Sequence, residues 1–170
     1  MPKYATAKTA IPVEELSQLI DYDPHLGTLK WKVIRKGYGG GVWPGKDAGC
    51  PDKYGYILVA INGLYYPAHR IAWYLHYRCW PEKQIDHIDM DFLNNRISNL
   101  REATMTQQRA NQRVRKDSIV GVKGVQRTRK GRWKARIRGL HLGIFDTVDE
   151  ASDAYWKAAQ EHFGEFARRA

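Results

Sequence analysis

The chain has 170 residues, with 43% hydrophobic and 12% aromatic content and a formal net charge of +10. This composition supplies cores for one medium-sized domain or two small ones, which excludes an intrinsically disordered chain. No apolar run approaches the roughly 18 residues of a membrane span, and the N-terminal MPKYATAKTAIPVEEL lacks the apolar stretch of a signal peptide. We therefore expect a soluble protein that acts in the cytoplasm and has no membrane partner.

The first half of the chain predicts a helix, a glycine-rich loop and a hairpin. Apolar residues at helical spacing predict a helix over residues 13–20, and DPHLGTLKW then predicts a turn and a short strand. Residues 36–49 are rich in glycine but lack a GK[ST] ending, so we expect a connector or a DNA-facing loop. The stretch YILVAINGLYYP predicts two strands joined at Asn62 and Gly63, with a helix beginning near Pro67.

Three residues on these elements have mainly structural interpretations. His69 lies on the predicted second helix beside apolar residues, so we expect a packed or capping histidine, with a contribution to an active site as the alternative. Cys50 and Cys79 are far apart and lack the paired spacing of a zinc site. We expect two reduced, partly buried thiols, and neither a disulfide nor structural zinc.

The positive charge is concentrated in one segment. Between Arg101 and Arg138 the chain has thirteen Lys and Arg against only Glu102 and Asp117, a local balance of +11, while the rest is near neutral. A segment with so large an excess of positive charge, interrupted by Trp133 and β-branched residues, favours the phosphate backbone of a nucleic acid as its partner. The alternative is a basic face that only aids solubility.

The segment IDHIDMDFLNNRISNLREAT, residues 85–104, sets a carboxylate beside an imidazole and follows them with a loop of Asp and Asn. This Asp86-His87 pair, the loop, Asn99 and a following helix over about residues 104–113 resemble the HNH, or ββα-metal, nucleases of the phage and intron homing type. The lead-in PAHRIAWYLHYRCWPEKQIDH extends the resemblance, which covers roughly residues 10–113.

The resemblance implies a phosphodiester hydrolase with assigned roles. His87 acts as the base, since a neutral imidazole with a pKa of about 6.5 accepts a proton from water at physiological pH. Asp86 binds a hard divalent ion, Mg²⁺ or alternatively Mn²⁺, beside the phosphate. Asn99 completes the catalytic motif by pinning the loop, and the helix supplies the last metal ligand. No small-molecule cofactor is expected.

Three positions depart from that family pattern. The register of the last metal ligand falls on Gln108, where homing relatives present Asn or His. An amide oxygen on a longer stem still reaches a hard ion, and Asn111, one turn onward on nearly the same face, is the alternative. In the loop, Met90 stands in place of Gly and Asp91 in place of Asn, which makes Asp91 a candidate extra carboxylate for the metal.

From Gly121 onward the sequence predicts three strands and a helix. In GRWKARIRG the cations alternate with Trp133, Ala135 and Ile137, which is typical of a half-buried strand with a cationic outer face. The segment TVDEASDAYWKAAQEHFG opens with the capping box TVDE and continues with an alanine-rich apolar stripe. We therefore expect a three-stranded sheet packed on one helix.

This second unit resembles the plant ethylene-response-factor DNA-binding domain in GVKGVQRTRKGRWKARIRG, LGIFDTVDEASDAY and FGEFA. The resemblance implies a sheet that lies in the major groove of double-stranded DNA. Gln126, Thr128 and His141 depart from the plant pattern, so the plant sequence preference does not transfer. Trp133 is expected in the core beneath the sheet, with stacking on DNA as the alternative. The candidate DNA-binding residues are Arg127, Arg129, Arg132, Lys134, Arg136 and Arg138.

Together these patterns predict an α+β protein with an HNH endonuclease domain over residues 1–113, a basic linker over 114–120 and a DNA-binding domain over 121–170. The expected activity is metal-dependent DNA cleavage by a phage protein in its bacterial host, or by a bacterial one. The alternative is a weak or inactive DNA-binding regulator on the same scaffold. The sequence leaves open the target site, nicking versus double-strand cleavage, the preferred metal and the oligomeric state.

Overall fold

Short helices and small antiparallel sheets make up the computed structural model, which describes residues 3–35, 41–114 and 118–169. The chain divides into two units, Met1–Ala103 and Thr104–Ala170. Both units mix helices with antiparallel strands, so the predicted α+β class is confirmed. In the described part of the chain, no helix has the length and apolarity needed to cross a bilayer.

The described residues of the N-terminal unit form three separate antiparallel sheets, two of two strands and one of three. The predicted first helix is confirmed, but Ile20 begins a strand that the helical pattern concealed. In chain order the elements are α1 (Val13–Leu19), β1 (Ile20–Asp23), β2 (Thr28–Trp31), β3 (Cys50–Pro51), β4 (Ile57–Ile61), β5 (Leu64–Pro67), α2 (Ala68–Tyr77), β6 (Gln84–His87) and β7 (Leu100–Ala103).

The turn between β4 and β5 follows from its two residues. Asn62 and Gly63 have φ angles of 50° and 77°, as a two-residue turn with two left-handed positions requires. The strands pair in antiparallel register from Ile61 and Leu64 outward. This confirms the predicted hairpin, and the predicted helix after Pro67 is confirmed by α2.

Helix α2 contributes to two apolar clusters of the N-terminal unit. Ile71 belongs to the larger cluster, with the fully buried Leu16 and Val59. Ala72 belongs to a second cluster with Ile85 of β6 and Leu100 of β7. Because neighbouring residues of one helix are buried in both clusters, α2 fixes the β6–β7 hairpin against the rest of this unit.

The C-terminal unit contains α3 (Met105–Asn111), β8 (Val125–Arg127), β9 (Trp133–Ile137), β10 (Leu140–Phe145) and α4 (Val148–Phe163). The three strands form one antiparallel sheet in the order β10–β9–β8. The sheet packs on α4 through Ala135 and Ala151, and through Ile137 with Ala158 and Ala159. The sheet-on-helix prediction is therefore confirmed, as is the capping box at Thr147.

Helix α3 is tied to the C-terminal unit by side-chain hydrogen bonds. Lys123 Nζ donates to the Ala110 carbonyl oxygen at 2.7 Å, and Arg168 Nε donates to Asn111 Oδ1 at 3.2 Å. A capping box of Thr104 and Gln107, which the sequence analysis did not single out, begins the helix. The predicted domain bounds, which place this helix with the nuclease, stay a prediction, and residues 115–117 of the predicted linker lie outside the described residues.

Two further expectations concern the surface. Cys50 and Cys79 are both exposed, so the expectation of partly buried thiols is wrong. Cys50 lies in a two-residue strand whose residues are both exposed, and Cys79 follows the end of α2. Of the glycine-rich segment, residues 36–40 lie outside the described residues, while Val42 pairs with Arg35 and Asp47 with Lys30.

Candidate active site

Strand β6 ends at His87, so the predicted carboxylate and imidazole lie at the point where the strand gives way to a loop. Both residues are buried, with 9% of Asp86 and 3% of His87 exposed. Successive strand residues point to opposite faces, so only the change of direction after His87 lets the two side chains serve one site. The structure places His87 at the last position of the strand, and the joint action of Asp86 and His87 on one phosphate stays a prediction.

The ring of His87 is oriented by Asn95, a residue buried to 1% exposure. His87 Nε2 lies 3.3 Å from Asn95 Oδ1, while Asn95 Nδ2 donates to the Leu93 carbonyl oxygen at 3.3 Å. The second bond turns the amide oxygen toward the imidazole, so Nε2 carries the hydrogen and donates it. In that neutral tautomer, Nδ1 is the basic nitrogen.

The environment of His87 favours its neutral form. Burial lowers the pKa of His87, and the bond to Asn95 and the carboxylates of Asp89, Asp86 and Asp91 oppose that effect without cancelling it. A neutral imidazole is the form that accepts a proton, so a lowered pKa keeps His87 competent as a base at neutral pH.

The loop after β6 is held by its own Asp and Asn side chains. Asp89 accepts hydrogen bonds from Asn94 Nδ2 at 2.6 Å, Asn99 Nδ2 at 2.9 Å and the Asp91 backbone N–H at 2.8 Å. Burial raises the pKa of Asp89, but these hydrogen bonds outweigh it and lower the pKa overall. Asn99 also donates to the Asn94 carbonyl oxygen at 2.8 Å. Asn99 thus bridges both ends of the loop, and its part in catalysis stays a prediction.

The β1–β2 hairpin supports this loop from outside. Tyr22 Oη donates to the Asn95 carbonyl oxygen at 2.8 Å, and the Ile97 backbone N–H donates to the Pro24 carbonyl oxygen at 3.1 Å. Gly27 has a φ of 73°, and a Cβ on it would lie 2.4 Å from the backbone nitrogen of Arg96. Only glycine permits this approach. In the sequence, the only sign of these contacts is a glycine in a turn, and nothing local pairs that turn with the loop after β6.

An aromatic cluster packs beside His87. The rings of Tyr56 and Phe92 stack with their centroids 4.3 Å apart. The rings of His69 and His87 are nearly perpendicular, with their centroids 5.2 Å apart. Tyr56 also meets His69 edge-on at 5.5 Å. Burial, followed by the neighbouring His87 and Arg70, lowers the pKa of His69 to about 3, so the ring is uncharged at neutral pH. His69 is a packed histidine in contact with the candidate base.

Asp86 is the candidate metal ligand, and it pairs with Arg101 across the β6–β7 register. Arg101 Nε lies 3.1 Å from Asp86 Oδ2, and both side chains are about one-tenth exposed. Among the described residues, no group of three or more His, Cys, Asp or Glu could hold a metal. This donor set does not fit a zinc-type cage. It fits a hard ion such as Mg²⁺, which needs only one or two carboxylates and otherwise keeps water and substrate oxygens.

The two candidates for the helical ligand lie on α3 in the C-terminal unit. Asn111 is buried, and its amide oxygen accepts a hydrogen bond from Arg168. Gln108 is half-buried, and its backbone carbonyl accepts from the Gln112 N–H. The amide oxygen of Asn111 is thus engaged within its own unit, and the assignment of Gln108 as the helical metal ligand stays a prediction from sequence register. Asp91 caps its own loop by accepting from the Leu93 N–H at 3.0 Å.

The predicted DNA-binding residues are distributed over the C-terminal sheet and its connections. Lys134 and Arg136 share the face of β9 opposite the buried Ala135 and Ile137, beside His141 of β10. This confirms the alternation of cations with apolar residues and gives the sheet a cationic outer face.

The other predicted cations differ in their surroundings. The Arg127 guanidinium lies 5.8 Å from the ring centroid of Trp133, whose side chain packs against the sheet–helix core as expected. Arg132 pairs with Asp146 at 2.7 Å. Arg138 has a φ of 47° and forms the β9–β10 turn with the following glycine, and Arg129 is exposed in the β8–β9 connection. DNA contact by these residues stays a prediction.

Comparison with known proteins bears on the segment that contains this site. Residues 66–110 match the family model described as HNH endonuclease. The chain is also 38% identical over 87 residues to a protein of Acanthamoeba polyphaga mimivirus that is named as an uncharacterised HNH endonuclease. That match covers 49% of this chain and 44% of the viral protein, so the chain spans less than half of its relative's length. No solved structure matches the chain.

Proposed function

We propose that the chain is a metal-dependent DNA endonuclease of the HNH homing type, in which His87 is the general base. The observation that carries the proposal is the strand end at which a buried His87 is oriented by Asn95 and follows Asp86 in the chain. The match of residues 66–110 to the HNH endonuclease family supports it, because that segment contains all three residues.

The proposed reaction is hydrolysis of a phosphodiester bond. A water molecule transfers a proton to His87 Nδ1 as its oxygen forms a bond to phosphorus, and the bond from phosphorus to the 3′ oxygen breaks. The 3′ oxygen takes a proton from solvent, and the proton on His87 returns to solvent before the next turnover. Asn95 holds the ring by accepting the Nε2–H, and the hydrogen-bonded loop holds Asn95.

The proposed metal is Mg²⁺, with Mn²⁺ as the alternative. When bound, a hard divalent ion supplies positive charge that stabilises the phosphate and the departing oxygen in the transition state. Asp86 would hold it with a carboxylate oxygen, and Gln108 would hold it with an amide oxygen, the second assignment resting on sequence register alone.

The proposed role of the C-terminal unit is to target double-stranded DNA. Its three-stranded sheet on one helix, with Lys134 and Arg136 on the outer face, supports the likeness to the ethylene-response-factor domain. Such a face suits contacts to phosphates and to base edges in the major groove. Action in the cytoplasm of a bacterial host stays a prediction.

Nicking of supercoiled plasmid tests the proposal. Full-length protein with MgCl₂ should convert supercoiled DNA to nicked or linear forms, and EDTA should stop the conversion. The variant His87→Ala, purified in parallel, should lack the activity, which excludes a contaminating nuclease. Failure of the unaltered protein to cut with Mg²⁺ or Mn²⁺, over a range of DNA sequences, would overturn the proposal.

A second candidate function is a DNA-binding regulator on a nuclease scaffold. The ion pair between Asp86 and Arg101 favours it, because an arginine beside the carboxylate competes with a metal for the same oxygen. Under this alternative the protein binds DNA in a gel-shift assay but leaves the plasmid supercoiled with either metal.

A further inference from the structure

A cleft of about 850 Å³ lies within the C-terminal unit, between α3 and the end of the β8–β9 hairpin. Among the residues that line it, no Asp or Glu occurs in the described part of the chain. Its cations come from four separate stretches of the unit: α3, the residue pair after it, the approach to β8, and β9 with its turn. They are Arg109, Arg113, Lys123, Arg136 and Arg138.

The cleft combines a charged rim with an apolar floor. Arg109, Arg113 and Arg136 are exposed at the rim, whereas the floor includes Val125 and Ile137 of the sheet core. A phosphodiester backbone has the matching pattern, because charged phosphates alternate with sugars whose faces are largely apolar. The lining therefore suits a strand of nucleic acid better than an uncharged ligand.

The spacing of the two walls is fixed by bonds within the unit. Lys123 Nζ reaches across the approach to β8 and donates to the carbonyl oxygen of Ala110, the penultimate residue of α3. The end of α3 is bonded again by Arg168 through Asn111. Burial and the neighbouring Arg168 lower the pKa of Lys123 to about 8, so this lysine is still mostly charged at neutral pH. The end of α3 and the approach to β8 are thus fixed relative to each other before any ligand arrives.

The volume of the cleft favours a ligand with several phosphates over a single phosphate group. Each water occupies about 30 Å³ of liquid volume, and one phosphate group displaces only a few waters. A lone phosphate would fill a small part of the cleft and meet few of its cations. Consecutive phosphates along a strand could meet cations on both walls together.

We propose that this cleft binds the phosphodiester backbone of the DNA, with Arg109 and Arg113 as phosphate contacts. The inference rests on the proposed DNA partner and extends it, because Arg109 and Arg113 are not among the six DNA-binding residues predicted for the sheet and its connections. Arg136 and Arg138 would then serve both the cleft and the sheet. DNA would be gripped at the end of α3 as well as read by the sheet.

A salt titration of DNA binding tests the cleft. The parent is the full chain with His87→Ala, so that DNA stays intact, and the variant adds Arg109→Ala with Arg113→Ala. Binding to a labelled duplex is measured by fluorescence anisotropy across a range of salt. Each lost phosphate contact removes roughly 0.9 from the slope of log affinity against log salt, so the slope should fall by about 1.8. Near physiological salt, affinity should fall by about 30-fold, equally for all sequences.

Three further variants in the same background separate charge from other effects. The pair Arg109→Lys and Arg113→Lys keeps both charges and should keep the parent slope. The pair Lys8→Ala and Lys157→Ala removes the same charge from exposed positions that do not line the cleft, and it should also keep the slope. The pair Arg109→Gln and Arg113→Gln repeats the deletion with polar side chains of good helix propensity, should the alanine pair unfold.

Two outcomes would overturn the proposal. One is a slope for the alanine and glutamine pairs equal to that of the Lys8 and Lys157 control. The other is displacement of DNA by a deoxynucleoside monophosphate from the parent but not from the alanine pair, which would make the cleft a nucleotide pocket. Plasmid nicking by the unaltered protein is scored separately. If the plasmid is nicked but the alanine pair and the control have equal salt slopes, only the proposed cleft is wrong. If the alanine pair has a reduced slope but the plasmid is not nicked, only the proposed endonuclease activity is wrong.

Discussion

The two polar regions of this chain are built in opposite ways. Around His87 the polar side chains are buried, and Asn95, Asn99 and Asp89 bond to the loop that carries them. On the C-terminal unit Arg136 and Arg138 are exposed, on a sheet face and in a turn. Proton transfer requires fixed geometry, whereas attraction of a polyanion requires charge that can adapt to it. The region around His87 therefore supplies fixed geometry, and the C-terminal unit supplies exposed positive charge.

This contrast separates rate from affinity. A change in the ordered loop should alter the rate of cleavage at saturating DNA and leave binding nearly unchanged. A change among the exposed cations should do the reverse, because phosphate contacts contribute to the bound state and the transition state alike.

The largest effect is expected from His87→Ala. Removing the proton acceptor should lower the cleavage rate by about 10²- to 10⁴-fold, while DNA affinity stays within a few-fold. Initial rates of plasmid nicking and anisotropy binding measure the two quantities. His76→Ala, at an exposed histidine near the end of α2, is the matched control. Cleavage at the original rate would mean that another group is the base.

Gly27→Ala should also reduce the rate, although Gly27 touches no substrate in the proposal. The new Cβ would lie 2.4 Å from Arg96 N and 2.7 Å from Asn95 C, so the loop that orients His87 must shift. We expect at least a tenfold loss of rate and a destabilisation of about 1–3 kcal/mol. Gly45→Ala is the control, since Gly45 has a φ of 83° and nothing within 4 Å of the added Cβ. Equal rates for the two variants would show that loop position does not set the rate.

His69→Phe should make the protein less sensitive to acid. The folded-state pKa of His69 is lowered to about 3, so between pH 6.5 and 3 the unfolded chain binds a proton that the folded chain does not. That difference destabilises the unaltered protein as pH falls. Phenylalanine keeps the ring contacts but binds no proton. The free energy of unfolding of His69→Phe, relative to that of the parent, should therefore rise by about 2 kcal/mol when the pH is lowered from 7 to 5.

Urea unfolding at the two pH values measures this gain for His69→Phe. His76→Phe, on the same helix but exposed, controls for the aromatic substitution. If the stability difference between His69→Phe and the parent is the same at pH 7 and pH 5, the buried histidine does not hold its depressed pKa in the folded protein.

Local patterns in the sequence were sufficient for much of this architecture. The Asn62–Gly63 turn, the capping box at Thr147 and the alternation along β9 are each set by neighbours in the chain, and all three are confirmed. The HNH motif was visible for the same reason, since its strand, loop and second strand are contiguous.

The parts that could not be predicted depend on contacts between distant residues. Tyr22 and Asn95 are 73 positions apart, and no local pattern pairs a tyrosine in one hairpin with a carbonyl in another. The attachment of α3 to Lys123 and Arg168 is of the same kind, because the helix directly continues the nuclease motif in sequence.

A smaller effect is expected on the C-terminal side of the comparison. Lys134→Ala removes one cation from the outer face of the sheet, which should lower the salt slope by roughly 0.9 and affinity about fivefold near physiological salt. The cleavage rate at saturating DNA should not change. Lys157→Ala, at an exposed position on α4, is the control. A reduced saturated rate would show that the sheet also helps to arrange the reacting phosphate.

The smallest effect tests how tightly the ordered loop is specified. Met90 has a φ of 66°, a left-handed conformation that costs a residue with a side chain roughly 1–2 kcal/mol and costs glycine little. Met90→Gly relieves that strain, but it also adds about 0.5–1 kcal/mol of chain entropy to the unfolded state. Met90→Ala removes the same side chain and keeps the strain, so it is the proper reference. The Met90→Gly protein should therefore be more stable than the Met90→Ala protein by about 0.5–1 kcal/mol in urea unfolding. Their cleavage rates should be equal. Equal stability of the two variants would mean that the loop bonds, rather than the residue at position 90, dictate the backbone there.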